Sequence, residues 1–206
     1  MIFWQDLGIV LSTMPHGEKY KIVNILTQNH GKIHALAYKS KSLTFTNFAK
    51  VNIAYTARDP DSLGFLKLLA ESPTWLTSMH LGNHLLVCQS ICFILDKLLP
   101  QNADDKQIFG LTEYVSTNLQ NFNSVDILFL YVYFELYLLA NSGFSADIRD
   151  LPTINNYFDI PSILSSIHFR QRAYQLLQTS SQIIAKNLTS IENFYRSSIT
   201  KQLAEL

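Results

Sequence analysis

The chain has 206 residues, 48% of them apolar and 16% charged, with 16 Lys/Arg balancing 16 Asp/Glu. This profile excludes a disordered or fibrous protein and allows one large domain or two small ones around a buried core. Zero net charge argues against a uniformly basic polymer-binding chain, but the charge is uneven: residues 1–75 hold 8 Lys/Arg against 5 Asp/Glu, a net +3, and residues 76–206 hold 8 against 11, a net −3.

The opening MIFWQD meets an acid at Asp6 and lacks a basic segment followed by an apolar one, so no secretion signal is expected there. Residues 7–42 read as three strands. Leu7–Met14, Lys21–Gln28 and Lys32–Tyr38 are rich in Ile, Val, Leu, Thr and Tyr, and Pro15–His16–Gly17 and Asn29–His30–Gly31 are turn signals between them. Lys50–Thr56 alternates cleanly, with Val51, Ile53 and Tyr55 on one face and Lys50, Asn52 and Ala54 on the other. After a turn at Arg58–Ser62, Leu63–Glu71 fits a fifth strand and, equally by periodicity, a short helix. Five strands with such turns are what a five-stranded, partly open barrel requires.

From about Thr77 the period changes. Leu81, Leu85, Cys88, Cys92 and Leu95 recur at helical spacing, and Pro100–Gln101–Asn102 stops that helix. Residues 105–120 read as a second helix. Ser124 is the expected N-cap of a third, which runs to about Ser142 with Gly143 after its end. This third helix is apolar almost all round and belongs in the middle of a bundle. Its greasiest run, residues 127–140, is too short to span a bilayer and is broken by Glu135. Residues 145–160 read as loop, and Pro161 is placed to open further helical patterning that continues to the end.

Chemistry-bearing constellations are few. His80, His84, Cys88 and Cys92 form a column at four-residue steps. On a helix rising about 1.5 Å per residue its ends lie about 18 Å apart, whereas one zinc holds ligands within about 2.3 Å. Only an adjacent pair could share an ion, and two thiols in an apolar run are ordinary buried residues of a reducing compartment. No GxSxG, phosphate-loop or GxGxxG motif occurs. Asp59/Asp61 and Asp104/Asp105 fall in turn-like stretches where solvated aspartates are the default.

The lysines are the better lead. Lys19, Lys21, Lys32, Lys39, Lys41 and Lys50 cluster at the strand ends of the opening third, interleaved with Tyr20, Tyr38, Phe45, Phe48 and Tyr55. A basic barrel face with aromatic rings suits a nucleic-acid strand, with lysines on phosphates and rings on bases, although most such rings are core in any barrel.

The run GIVLSTMPHGEKYKIVNILTQNHGKIHALAYKSKS resembles the N-terminal signature of the bacterial recombination mediator family RecO: a first strand, a Gly-Glu turn (Gly17–Glu18), a strand ending in Leu26–Thr27, a His-Gly turn (His30–Gly31) and a basic stretch, Lys39–Ser42. LYVYFELYLLANSGF at 130–144 looks like the family's central helix with its terminal Gly-Phe step, Gly143–Phe144. The resemblance implies an α+β protein with an N-terminal five-stranded OB-fold barrel (residues 1–76) and an all-α domain (77–206). It implies binding of ssDNA and dsDNA, strand annealing and help in loading RecA onto DNA coated by single-strand-binding protein. RecR would be the working partner, and the acidic, apolar-ended tail of single-strand-binding protein would dock on the surface. No catalysis, cofactor or membrane is implied, and the expected location is cytoplasmic and nucleoid-associated. Many members carry a four-cysteine zinc module after the Gly-Phe step, and residues 145–160 here hold no cysteine.

An acidic tail of that kind calls for a greasy pocket rimmed by arginine, and Arg149, Arg170 and Arg172 lie near Phe144, Phe158 and Phe169. Two rival readings stand behind the mediator: an interaction adaptor whose barrel binds protein and no DNA, and a metal-dependent enzyme using His80 and His84.

Overall fold

A computed structural model of the chain describes residues 1–39, 45–59, 62–72, 82–101, 105–141, 164, 167–184 and 190–205. The chain divides into two compact units, Met1–Ser78 with Leu99–Thr117 and Met79–Leu98 with Asn118–Leu206.

The first unit is built on five strands: β1 (Ile2–His16), β2 (Tyr20–Thr27), β3 (Gly31–Tyr38), β4 (Lys50–Ala57) and β5 (Gly64–Ser72). They close into a barrel in the order β1-β2-β3-β5-β4. β1 is longer than its apolar pattern predicts, because it serves two neighbours. Its first half pairs antiparallel with β4 (Ile2↔Ala57 to Ile9↔Lys50) and its second half with β2 (Gly8↔Thr27 to His16↔Tyr20). The residues MIFWQD are thus mostly strand, where sequence patterning marked none. Both expected turns are present, and each places a glycine at positive φ, Gly17 at 60° and Gly31 at 66°, where a side chain would be strained.

LGFLKLLAE resolves as strand. Leu66 and Leu68 point into the barrel, while Phe65, Lys67 and Leu69 are exposed, the alternation a strand requires. β5 is antiparallel to β4 over Lys50↔Ser72 to Thr56↔Phe65, and parallel to β3 over only three pairs, Ala35↔Gly64 to Ala37↔Leu66. The barrel core gathers Val10, Val23, Ile25, Ala35, Val51, Ile53 and Leu66, with Phe45 at one end.

Helix α1 spans Gly82–Leu98, α2 Lys106–Asn118, α3 Asp126–Asn141, α4 Ile167–Ile184 and α5 Ser190–Ala204. Sequence grouping put α2 with the other helices; residues 99–117 instead form one unit with the barrel. Lys50 of β4 bonds Glu113 of α2 at 2.5 Å and is one tie within that unit. Asp105 caps α2, its Oδ1 accepting from the amides of Gln107 and Ile108 at 3.0 Å each. The expected cap at Ser124 is replaced by its neighbour: Asn123 Oδ1 accepts from the amides of Val125 (2.9 Å) and Asp126 (2.8 Å). Asparagine holds the first turn as well as serine does, so the sequence offered two adjacent caps.

In the second unit α3 packs against α1 and α4, and α5 against α1 and α4. As its all-round apolarity demands, α3 is buried from Ile127 through Phe134 and again at Leu136, Leu138 and Leu139.

Candidate nucleic-acid interface

The β2–β3 turn is held by side chains from both sides. Asp6 lies beneath it with its side chain 1% exposed. Its carboxylate accepts from the amides of Leu7 (2.8 Å) and Asn29 (2.9 Å) and from Asn29 Nδ2 (2.9 Å), and His30 Nδ1 lies 2.8 Å away. A carboxylate only accepts, so that contact selects the His30 tautomer protonated at Nδ1. Thr27 Oγ closes the turn from the other side, donating to the Gly31 carbonyl at 2.7 Å and accepting from the His30 amide at 3.1 Å. The His30 ring stacks on Trp4 at 3.9 Å, and Trp4 stacks on Tyr55 at 4.5 Å. Tyr55 in turn covers Gly64, where an added Cβ would meet its ring at 2.3 Å. Burial raises the Tyr55 phenol above its ordinary range.

The six candidate lysines do not form one face. Lys19 is exposed, and its carbonyl accepts from the Lys39 amide at 2.9 Å. Lys39 is exposed too, with Nζ donating to the Gly17 carbonyl at 2.8 Å. The β1–β2 turn and the end of β3 therefore bring these two residues side by side along the backbone. Lys21 is half-buried, with Nζ 4.8 Å from the centroid of the Phe45 ring. Lys67, which sequence reasoning passed over because its segment read ambiguously as strand or helix, is exposed on β5. Lys50 is held by Glu113. Lys32 is 4% exposed and pairs across the sheet with fully buried Leu26, a position from which a lysine does not reach a phosphate in solvent. Lys41 lies outside the described residues.

The aromatics sort in the same way. Phe45 and Phe48 are core, and Phe48 adopts φ 66° while its amide donates to the Val10 carbonyl at 2.6 Å. Tyr38 is exposed, and its hydroxyl lies 3.1 Å from that of Tyr20. That hydrogen bond is the main reason the Tyr20 phenol titrates above its ordinary range. Phe65 and Phe3, absent from the sequence-based set, are exposed on β5 and β1.

In the helical unit Arg170 is committed internally. It pairs with Asp126, donates from Nε to the Leu164 carbonyl at 2.5 Å and lies 4.9 Å over the Phe129 ring. Arg170, expected from the sequence on a pocket rim, thus braces α4 against Asp126 and Phe129 of α3. Phe169, placed beside it in sequence, is buried against Phe129 and Tyr133. Arg149, Phe144 and Phe158, and the side chain of Arg172, lie outside the described residues.

Sequence reasoning missed the cluster at the centre of this unit. Glu135, fully buried, accepts from Tyr131 Oη (2.7 Å), from Arg196 Nε (3.0 Å) and Nη2 (2.8 Å), and from Ser180 Oγ. Burial drives the Tyr131 phenol well above its ordinary range, and the Glu135 charge adds to it. Burial pulls the Arg196 guanidinium down, but hydrogen bonds and charge from Glu135 outweigh it and the net shift is upward. A single glutamate in a greasy run was the available signal, without any pointer to its partner.

His84 is buried and hydrogen-bonds the Phe122 carbonyl through Nε2 at 2.8 Å; His80 lies outside the described residues. Burial raises the Cys88 thiol far above its ordinary range. Among the described residues no group of three or more His, Cys, Asp or Glu is placed to hold a metal ion, and no helix is long and apolar enough to cross a membrane.

Residues 1–69 match the family described as Recombination protein O N terminal. The DNA repair protein RecO of Ehrlichia chaffeensis is 32% identical over 151 residues, 70% of this chain and 60% of that protein. The RecO proteins of Wolbachia pipientis wMel (28%, covering 70% of this chain and 61% of theirs) and Rhodospirillum centenum (30%, covering 70% and 58%) align similarly. The chain thus matches about three fifths of the length of these curated relatives.

Proposed function

We propose that this chain, which belongs to the RecO family, acts in DNA repair and recombination as a non-catalytic mediator whose barrel binds ssDNA and dsDNA. The observation that carries the reading is the convergence of Lys19 and Lys39 at one end of a closed five-stranded barrel, with Lys21 and exposed Tyr38 alongside. Cations at that end neutralise phosphates without reading sequence, so binding is salt-sensitive and unspecific. Two strands held there are screened from each other and anneal with no covalent step. Loading of RecA onto DNA coated by single-strand-binding protein follows if RecR is the working partner and the acidic tail of that coating protein docks on this chain. That the relatives are DNA repair proteins RecO supports the pathway.

The test is titration of fluorescent single-stranded DNA at several salt concentrations, with the wild type and a Lys19→Gln/Lys39→Gln variant. Each lost phosphate contact reduces the slope of log K against log salt by about 0.7, so the double variant binds more weakly with a slope shallower by about 1.4. An unchanged slope removes these lysines from the interface. The adaptor reading keeps one observation in its favour, since buried Lys32 and Glu113-bound Lys50 subtract two cations from the barrel's surface. It requires no DNA binding even at low salt.

A further inference from the structure

We propose that the barrel carries a receptor pocket for a single unstacked nucleobase, set where β3 and β5 stop pairing. This pocket rests on the DNA-binding role proposed above and adds to it what the phosphate contacts lack, a means of telling a single strand from a duplex.

The parallel ladder between β3 and β5 ends at Ala37↔Leu66. Past that point lies a cavity of about 510 Å³, lined by Tyr38, Phe45, Thr56, Phe65, Lys67 and Leu68 among others. Its size falls in the range of roughly 300–1,000 Å³ typical of small-ligand sites. Phe45, Leu66 and Leu68 are buried and make its apolar floor, while Tyr38 (62% exposed) and Phe65 (44%) turn ring surface to solvent. These two rings are fixed in place. Tyr20 packs 4.7 Å from Tyr38 and 5.9 Å from Phe65, and the two tyrosine hydroxyls are 3.1 Å apart.

The charged groups placed at the cavity are cations. Lys67 belongs to its lining, Lys21 Nζ stands 4.8 Å from the ring of Phe45, and none of the described lining residues is acidic. A ligand that fits is flat and aromatic on one part and anionic on another. A nucleotide within a single strand has both: its base offers a π-face to Tyr38 and Phe65, and its phosphate meets the lysines. An acidic peptide satisfies the lysines but leaves two exposed rings without a planar partner. In a duplex the bases are stacked inside and their faces are closed to the pocket.

The experiment compares two probes of equal length and charge, fluorescent oligothymidine and the corresponding abasic oligonucleotide, on the full chain. With one base seated, wild type binds oligothymidine about tenfold more tightly than the abasic strand, the lower part of the range for one base–aromatic stack. Tyr38→Ala and Phe65→Leu, the second chosen to keep apolar bulk, each erase most of that preference and leave the salt slope unaltered. Circular-dichroism melting shows whether each variant is folded, and exposed Tyr38 carries the test if Phe65→Leu is not. Equal wild-type affinity for the two probes overturns the pocket while the phosphate interface stands. So does an intact preference in folded Tyr38→Ala, or variants that keep the preference while losing an acidic, apolar-ended peptide. Absence of binding to either probe at low salt overturns the DNA-binding role and the pocket with it.

Discussion

Asp6 in the barrel and Glu135 in the helical unit are both carboxylates shut away from solvent, yet they do different work. Asp6 collects neutral N–H donors, two backbone amides and the Asn29 amide group, together with one imidazole, and all but the Leu7 amide belong to a single turn. Glu135 collects a guanidinium, a phenol and a hydroxyl from three helices, the farthest 61 residues away in sequence. The first arrangement fixes the course of a backbone. The second fixes how helices register on one another, and at a different energetic risk. A buried ion pair is worth little against well-packed apolar side chains, but half of one is costly.

That contrast can be broken most forcefully at Arg196. Arg196→Met leaves Glu135 charged, buried and short of its counterion, and is expected to cost about 3–5 kcal/mol in urea unfolding. The double variant Glu135→Leu/Arg196→Met is expected to recover most of that loss. If single and double variants are equally destabilised, the pair is a net stabiliser and the contrast with Asp6 collapses. A smaller effect is expected at Asp6→Ala, where lost charge-assisted hydrogen bonds cost about 2–3 kcal/mol. Its damage is local, read as faster amide exchange in residues 28–31 and changed Trp4 fluorescence as His30 leaves the stack. Spread of that exchange over the whole barrel would make Asp6 a global determinant instead. The smallest effect tests the helical unit's own backbone device: Asn123→Ala removes the α3 cap and is expected to cost about 1 kcal/mol. Replacement by Ser should restore most of it.

The barrel was largely legible because alternation is local. Val51, Ile53 and Tyr55 against Asn52 marked β4 correctly, and the glycines at 17 and 31 announced both turns. Lys32 joined the lysine cluster through its place at a strand end. It shares the side of exposed His34 and Tyr38, but its neighbour across the ladder is fully buried Leu26, so that stretch of the outer surface is covered. Nothing local to Lys32 reports this. Lys67 and Phe65 were hidden by a different ambiguity, because LGFLKLLAE satisfies both periods and only pairing with β4 decides between them. The Glu135 network was illegible for a third reason. Its members are scattered over 66 residues, and their meeting is a property of helix packing that no single segment encodes.

The brevity of the β3–β5 ladder has a mechanical consequence. Three residue pairs join these strands, where each other pair of neighbours in the barrel shares seven or eight. Thermal opening follows the seam with the fewest bonds to break, so the barrel breathes there first while Ile25 and Ile53 stay packed. Tyr38 and Phe65 stand on opposite lips of that seam. Tyr20 packs against both rings, so a side chain holds the two lips together where the ladder does not.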